Sequence, residues 1–209
     1  MLSLNSPFLP HPNDSMNRVM RLPLRTALCL LPLALTPCIT ACGRVKANSH
    51  VAFMGDSLTE MWTLPRVNLG RYGQTTAQML KRFPVDIANK NLHSVIILGG
   101  TNDVLLGIDP ATTVSNLGRM ADIAASSGIE PVLCEIPPIY ARQGTLAPQV
   151  AELNRRITAL AASRNLRFVD FYDPLNGHPA YFSDGVHMRR RGYLVMDWTL
   201  EQKVSLFQG

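Results

Sequence analysis

His50-Val51-Ala52-Phe53-Met54-Gly55-Asp56-Ser57-Leu58-Thr59-Glu60-Met61-Trp62 carries an unbroken apolar run into a glycine and then into residues that suit a helix. This order reads as a strand, a tight turn and a helix start. Ser57 then stands at the strand's carboxyl end. In an open parallel sheet that edge is where ligands bind, and a helix opening there turns its free N–H groups toward an anion. A serine hydroxyl is a weak nucleophile unless a histidine takes its proton, an acid orients that histidine and donors receive the oxyanion.

Downstream of this run, strand-like and helix-like segments alternate. Val67-Asn68-Leu69 is a short second strand, followed by a helix over Gln74–Phe83 that Pro84 is expected to end. Ser94–Leu98 is a buried strand running into Gly99-Gly100, and a helix is expected from about Pro110 to Ser127, closed by Gly128. Pro131–Ile136 reads as the fourth strand, with Pro137-Pro138 forcing the chain out of it. A helix from about Ala147 to Arg164, a fifth strand over Leu166–Phe171 and a last helix from about Arg190 to Leu206 complete the order. Such alternation with short connections implies right-handed crossovers and a parallel sheet covered on both faces. No repeat, low-complexity segment or second domain boundary interrupts it.

The chain has 209 residues, 46% hydrophobic and 17% charged, which is ordinary globular composition. Its formal net charge of +5 includes Arg18, Arg21 and Arg25 of the N-terminal segment. The remaining excess is too small, and too poor in basic clusters, to point to nucleic acid. Those arginines precede Ala27–Leu35 and then small residues before Cys42, the order of a secretory signal. Met16 or Met20 is a more typical start than Met1. Ile39-Thr40-Ala41-Cys42 resembles a bacterial lipobox, whose cysteine carries the lipid. Plain secretion with nearby cleavage is the competing reading; Pro32, Pro37 and the short apolar run disfavour a spanning anchor. The expected organisation is a signal segment at 1–42, a linker at 43–49 and a single domain at 50–209. The expected location is the periplasm or cell envelope, with attachment to the membrane through lipidated Cys42.

Of the four cysteines, Cys29 and Cys38 belong to the signal segment and Cys42 to the lipobox, so the domain keeps only Cys134 and no internal disulfide. In the apolar run Pro131–Ile136, a small buried hydrophobe is favoured for Cys134 over a nucleophile. No pattern of cysteines suits zinc.

Three stretches fall where loops leave the carboxyl ends of strands. They are Asn68–Thr76, Gly99-Gly100-Thr101-Asn102-Asp103 and Asp184-Gly185-Val186-His187. Asp184 and His187 are three residues apart and can face each other across one turn. They supply the acid and the base; with no third ligand evident, they do not suggest a metal. Asn102 offers an amide donor, and Gly73 lets an oxygen approach its backbone N–H. With the N–H of Ser57, these give three oxyanion donors. The loop at Ser57 has no Gly-x-Gly-x-x-Gly, and Asp56 would repel phosphate, so no nucleotide or flavin cofactor is expected.

Gly55-Asp56-Ser57-Leu58, Gly73 in Tyr72-Gly73-Gln74-Thr75-Thr76, Asn102 in Gly100-Thr101-Asn102-Asp103, and Asp184-Gly185-Val186-His187 resemble, in order, the blocks of the GDSL-type esterases of the SGNH hydrolase superfamily. The resemblance runs from about His50 to the end. It implies a three-layer α/β/α flavodoxin-like fold with a five-stranded parallel sheet, and a serine esterase with Ser57, Asp184 and His187 as its triad. The oxyanion hole would be Ser57, Gly73 and Asn102. Members of the family include carboxylesterases, thioesterases, lysophospholipases and carbohydrate O-acetylesterases, so the substrate is left open. Arg71-Tyr72 and Arg189-Arg190-Arg191 depart from the commoner residues of their blocks and bear on the mouth of the site.

The expected activity is hydrolysis of small or short-chain acyl esters, because no long lid-like insertion separates the motifs. A carbohydrate O-acetylesterase, a lysophospholipase or thioesterase of the same superfamily, and a non-catalytic glycan- or lipid-binding protein on the same fold are the alternatives. A nucleophile elbow of the other α/β type is disfavoured, since position 59 is Thr and only one strand precedes Ser57. Trp62 and Trp198 are expected in the core. Val104-Leu105-Leu106 is open between packing under its loop and lining an acyl pocket. Pro137–Tyr140 is open between a rigid connector and a lip of the site. The three arginines from 189 read as a solvated helix start, and His50, His93 and His178 as incidental.

Overall fold

The computed structural model of the chain describes residues 46–204 and Leu206; the signal-like segment and Cys42 lie outside the described residues. Five strands, β1 (Val51–Gly55), β2 (Val67–Gly70), β3 (Ser94–Leu98), β4 (Glu130–Cys134) and β5 (Arg167–Val169), form one sheet in the order β2-β1-β3-β4-β5. Every pairing is parallel. All five residues of β1 and of β3 are buried. Side chains alternate between faces along a strand, so both faces of the sheet are covered, as the resemblance implies.

The helices are α1 (Ser57–Glu60), α2 (Thr76–Ile87), α3 (Thr101–Leu106), α4 (Pro110–Ser126), α5 (Ala147–Ser163) and α6 (Arg190–Glu201). Trp62 stands at a junction of the core. Its ring meets Phe53 of β1 edge-on at 5.2 Å and Phe171 beyond β5 at 5.8 Å, and its indole donates to Asp197 of α6 at 2.6 Å. An indole N–H buried against aromatic rings needs such an acceptor. Gly70 lets β2 and α1 approach, since a Cβ there would come within 2.1 Å of the Glu60 backbone nitrogen.

Several boundaries differ from the expectations. α2 runs through Pro84 to Ile87 instead of ending at it. Pro84 faces solvent while Phe83 and Ile87, one turn apart, are both buried, and Arg82 pairs with Asp86 across the same turn. Burial of Ile87 therefore outweighs the backbone hydrogen bond that the proline removes. β4 stops short of Ile136 because the amide of buried Asn154 takes both backbone groups of that residue, each at 2.9 Å. β5 is cut to Arg167–Val169 because Asp170 Oδ1 accepts from the N–H of Tyr172 (2.7 Å) and of Asp173 (3.0 Å), a side-chain turn that leads the chain out of the sheet.

α6 ends at Glu201 rather than Leu206. Beyond it Val204 and Leu206 turn inward, and the Leu206 carbonyl accepts from Asn48 at 2.7 Å, so the end of the chain pairs with the entry to the domain. Trp198 is 63% exposed, against the expected core position. The buried stripe of α6 is Gly192, Met196, Thr199 and Leu200, and a residue two positions from both Met196 and Leu200 falls on the opposite side of the helix.

Candidate active site

The turn between β1 and α1 is shaped by Asp56, whose Oδ1 accepts the Leu58 N–H at 2.9 Å and caps the helix. That cap presents Ser57 as the first residue of α1, at the carboxyl edge of a central strand. His187 reaches Ser57 from far along the chain, with Nε2 3.0 Å from the serine Oγ. On the other edge of the ring, Nδ1 lies 2.7 Å from Asp184 Oδ2. An ionised carboxylate can only accept, so Nδ1 carries the proton and Nε2 is free to accept from the serine. The second oxygen of Asp184 accepts from the backbone N–H of Val186 (3.0 Å) and of His187 (2.8 Å). Partial burial pushes the Asp184 carboxyl up, but these donors and the imidazole together outweigh it and hold the group down at about 2.

The Asp184–His187 loop is pinned from three directions. Ser183 binds the His187 carbonyl through both its N–H (2.8 Å) and its hydroxyl (3.0 Å), and Phe182 and Met188 form a short antiparallel bridge. The Gly185 carbonyl accepts from the N–H groups of Tyr140 (2.7 Å) and Ala141 (3.1 Å). Gly185 has φ +85°, and a Cβ there would fall 2.4 Å from the Ala141 nitrogen, so this contact demands glycine.

Gly73 lies in the turn after β2 with φ +70°. Among the described residues, neither its N–H nor that of Ser57 has an acceptor. Asn102, the second residue of α3, donates from Nδ2 to the Gln74 carbonyl at 3.0 Å, with Asp56 Oδ2 at 3.5 Å. An amide nitrogen carries two hydrogens: the bond to Gln74 orients the group, and the second hydrogen has only the long contact to Asp56, which an oxyanion can displace. The ends of β1, β2 and β3 thus bring Ser57, Gly73 and Asn102 to one edge, where His187 and Asp184 join them. That stretch of Gly-Thr-Asn-Asp begins a helix, not the loop expected after β3.

Two features escaped the sequence reading. Asp103, buried beside Asn102, accepts from the N–H (2.9 Å) and hydroxyl (2.5 Å) of Thr76 and from the Thr113 hydroxyl (3.1 Å). Its position inside the Asn102 block, next to a donor that needs a fixed backbone, was the only available signal. The Tyr72 ring stacks on the His187 ring, with centroids 5.7 Å apart and planes 12° apart.

Val104 is buried while Leu106 is 69% exposed, so Val104–Leu106 splits between core and solvent. Cys134 is buried in β4, where burial pushes its thiol well up, and it behaves as a core residue. Tyr140 is a connector: its hydroxyl donates to the Leu175 carbonyl and accepts from the His178 N–H, each at 3.2 Å. His50 stacks on His93 and His178 on Tyr181. Arg189 stands at the N-cap position of α6, and its side chain turns away from the helix to donate to the Phe182 carbonyl at 3.0 Å. A surface groove lined by Pro174, Tyr181, Arg191, Leu194, Val195 and Trp198 includes none of the triad candidates. Among the described residues, no three His, Cys, Asp or Glu side chains are grouped to hold a metal ion.

Residues 39–195 match the model of the GDSL-like Lipase/Acylhydrolase family. Over 126 residues the chain is 32% identical to Esterase TesA of Pseudomonas aeruginosa, a match that covers 58% of this chain and 60% of that protein. Over 137 residues it is 28% identical to an arylesterase of Vibrio mimicus, covering 54% of this chain and 68% of that one. The chain therefore spans about three-fifths to two-thirds of the length of these curated relatives. Its fold is similar to the crystal structure of a GDSL-like lipase from Bacteroides thetaiotaomicron, with a TM-score of 0.69 and 30% identity over 74% of this chain and 86% of that one.

Proposed function

Because the chain belongs to the GDSL-like lipase/acylhydrolase family, we propose that it is a serine esterase with Ser57 as nucleophile, His187 as base and Asp184 as the residue that orients the base. The observation that carries this reading is the continuous path Ser57 Oγ to His187 Nε2 (3.0 Å) and His187 Nδ1 to Asp184 (2.7 Å). As Oγ bonds to the ester carbonyl carbon, its proton passes to Nε2 and the carbonyl electron pair moves onto oxygen. The N–H groups of Ser57 and Gly73 receive that oxyanion together with the Asn102 amide hydrogen, which gives up its long contact to Asp56. Collapse of the intermediate breaks the bond to the alcohol oxygen, which takes the proton back from Nε2. Water, deprotonated in turn by His187, then attacks the acyl-enzyme and releases the acid.

The split of Val104 and Leu106 between core and solvent supports short acyl groups over long chains. The signal-like order of residues 1–42 and the lipobox at Cys42 support export and attachment to the envelope. Labelling of the full chain with a radioactive fatty acid, lost in Cys42→Ser, tests that attachment.

Hydrolysis of p-nitrophenyl esters from acetate to decanoate by the full chain tests the activity. Turnover that is highest on the short esters and abolished in Ser57→Ala is expected. A folded protein that hydrolyses none of them, or a Ser57→Ala variant as active as the parent, would overturn the reading.

A further inference from the structure

The phenol ring of Tyr72 lies against one face of the His187 imidazole, 5.7 Å between centroids and 12° from parallel, yet Tyr72 is 70% exposed. An aromatic side chain so exposed gains little from burial, and its hydroxyl has no hydrogen-bond partner among the described residues. The ring face is the part of Tyr72 in use. The turn that carries it is held at several points: the Arg71 N–H donates to the Gly55 carbonyl at 3.1 Å, the Gln74 N–H to the Arg71 carbonyl at 3.4 Å, and the Arg71 guanidinium to Asp86 at 3.2 Å. Both ring nitrogens of His187 are already engaged by Ser57 and Asp184, so the only further way to hold this ring is across its face.

We propose that Tyr72 is a positioning residue for His187, keeping the imidazole plane in line with Ser57 and Asp184 and setting its ring face beside the imidazolium formed during the reaction. This role rests on the reading of His187 as the base. An aromatic face is negative, so it attracts a cation more than a neutral ring. His187 is neutral before the reaction and becomes imidazolium as Nε2 takes the Ser57 proton. The stacking is therefore stronger in the transition state than in the resting enzyme. An interaction of that kind appears in kcat and leaves KM unchanged.

The test compares Tyr72→Phe, which keeps the ring, with Tyr72→Leu, which keeps bulk without a π face, in the full chain on p-nitrophenyl acetate. Tyr72→Phe is expected to retain kcat within about twofold. Tyr72→Leu is expected to lose about two- to sixfold in kcat at unchanged KM, the size of an exposed cation–π contact. The rate of labelling by a fluorophosphonate, which needs the same transfer from Ser57 to His187, should fall by the same factor. Equal kcat values in the two variants, or a loss carried by KM, would overturn the role. A dead Ser57→Ala alongside equal Tyr72 variants would overturn this role alone, whereas undiminished turnover in Ser57→Ala would overturn the catalytic reading and this role with it.

Discussion

Asp103 grips Thr76 twice, taking its backbone N–H on Oδ2 at 2.9 Å and its hydroxyl on Oδ1 at 2.5 Å. Thr76 opens α2 directly after the turn that carries Gly73, so this pair fixes the start of α3 to the neighbouring strand's loop. The hydroxyl of Thr76 accepts in turn from Asn116 Nδ2 at 3.1 Å, and both side chains of the pair are buried with their polar atoms hydrogen-bonded. Asp103→Ala would leave a buried N–H and two hydroxyls short of an acceptor, at about 3 to 5 kcal/mol. A urea unfolding curve should show the midpoint falling accordingly, with activity declining as the Gly73 turn loosens. A midpoint equal to the parent's would mean that water replaces the carboxylate.

Asn102 has two duties that one substitution separates from a purely structural role. Its amide holds the Gln74 carbonyl at 3.0 Å, and its second hydrogen, 3.5 Å from Asp56 Oδ2 in heavy-atom distance, is the one a substrate oxyanion would take over. Asn102→Ala is expected to lower kcat by about 10² to 10³, the loss seen when one oxyanion donor is removed from a serine hydrolase. The substrate's ground-state carbonyl gains less from this donor than the oxyanion does, so KM should change little. Steady-state kinetics on p-nitrophenyl acetate would decide it, and a loss confined to KM would remove Asn102 from the oxyanion hole.

Much of this arrangement was legible locally. The β1 run into Gly55-Asp56-Ser57 and the close spacing of Asp184 and His187 carry their geometry within a few residues. The Thr76–Asp103 pair could not be read that way, because its members are 27 positions apart and neither belongs to a periodic pattern. Trp198 shows the limit of residue type as a guide: a tryptophan suggests core, but the phase of α6 puts it outside. Pro84 shows a local rule overruled by burial of Ile87 one turn later. In both cases the helix's orientation on the sheet decided the outcome, and a single segment does not encode that.

Asp184 sets the acid behaviour expected of the site. Its carboxyl is held down at about 2, below an ordinary aspartate value of 3.8. A depressed carboxyl contributes stability above its unfolded value and loses it as pH falls through the folded one, here between about 4 and 2. Asp184 accordingly stays ionised throughout the range in which an esterase is assayed, so its own protonation does not set the loss of activity between pH 7 and about 4. Asp184→Asn removes the partner that fixes the proton on Nδ1; about 10² to 10⁴ in kcat should be lost through the wrong tautomer. A pH–rate profile of both proteins checks the two statements: an acid limb in the parent centred near 2 would contradict the first, and a kcat for Asp184→Asn equal to the parent's the second.

Asp56 behaves in the opposite sense. It is buried, and burial lifts its carboxyl to about 7; nearby Asp103 adds to the rise, while the Leu58 N–H and His187 oppose it. With the folded value raised, the native state holds a proton that the unfolded chain has released, so this group's effect on stability worsens as pH climbs from about 4 to 7. Asp56→Asn keeps an oxygen for the Leu58 N–H, 2.9 Å away in the parent, and carries no titrating group. The difference in unfolding free energy between the two proteins should therefore shift toward Asp56→Asn on going from pH 4 to pH 8, by up to about 4 kcal/mol. Titrating groups that do not interact with Asp56 are common to both and cancel in the difference, leaving Asp56 with its neighbours Asp103 and His187. Urea unfolding at four or five pH values measures it directly. Parallel curves would mean that Asp56 is ionised in the fold at neutral pH, with His187 and the Leu58 N–H together outweighing its burial.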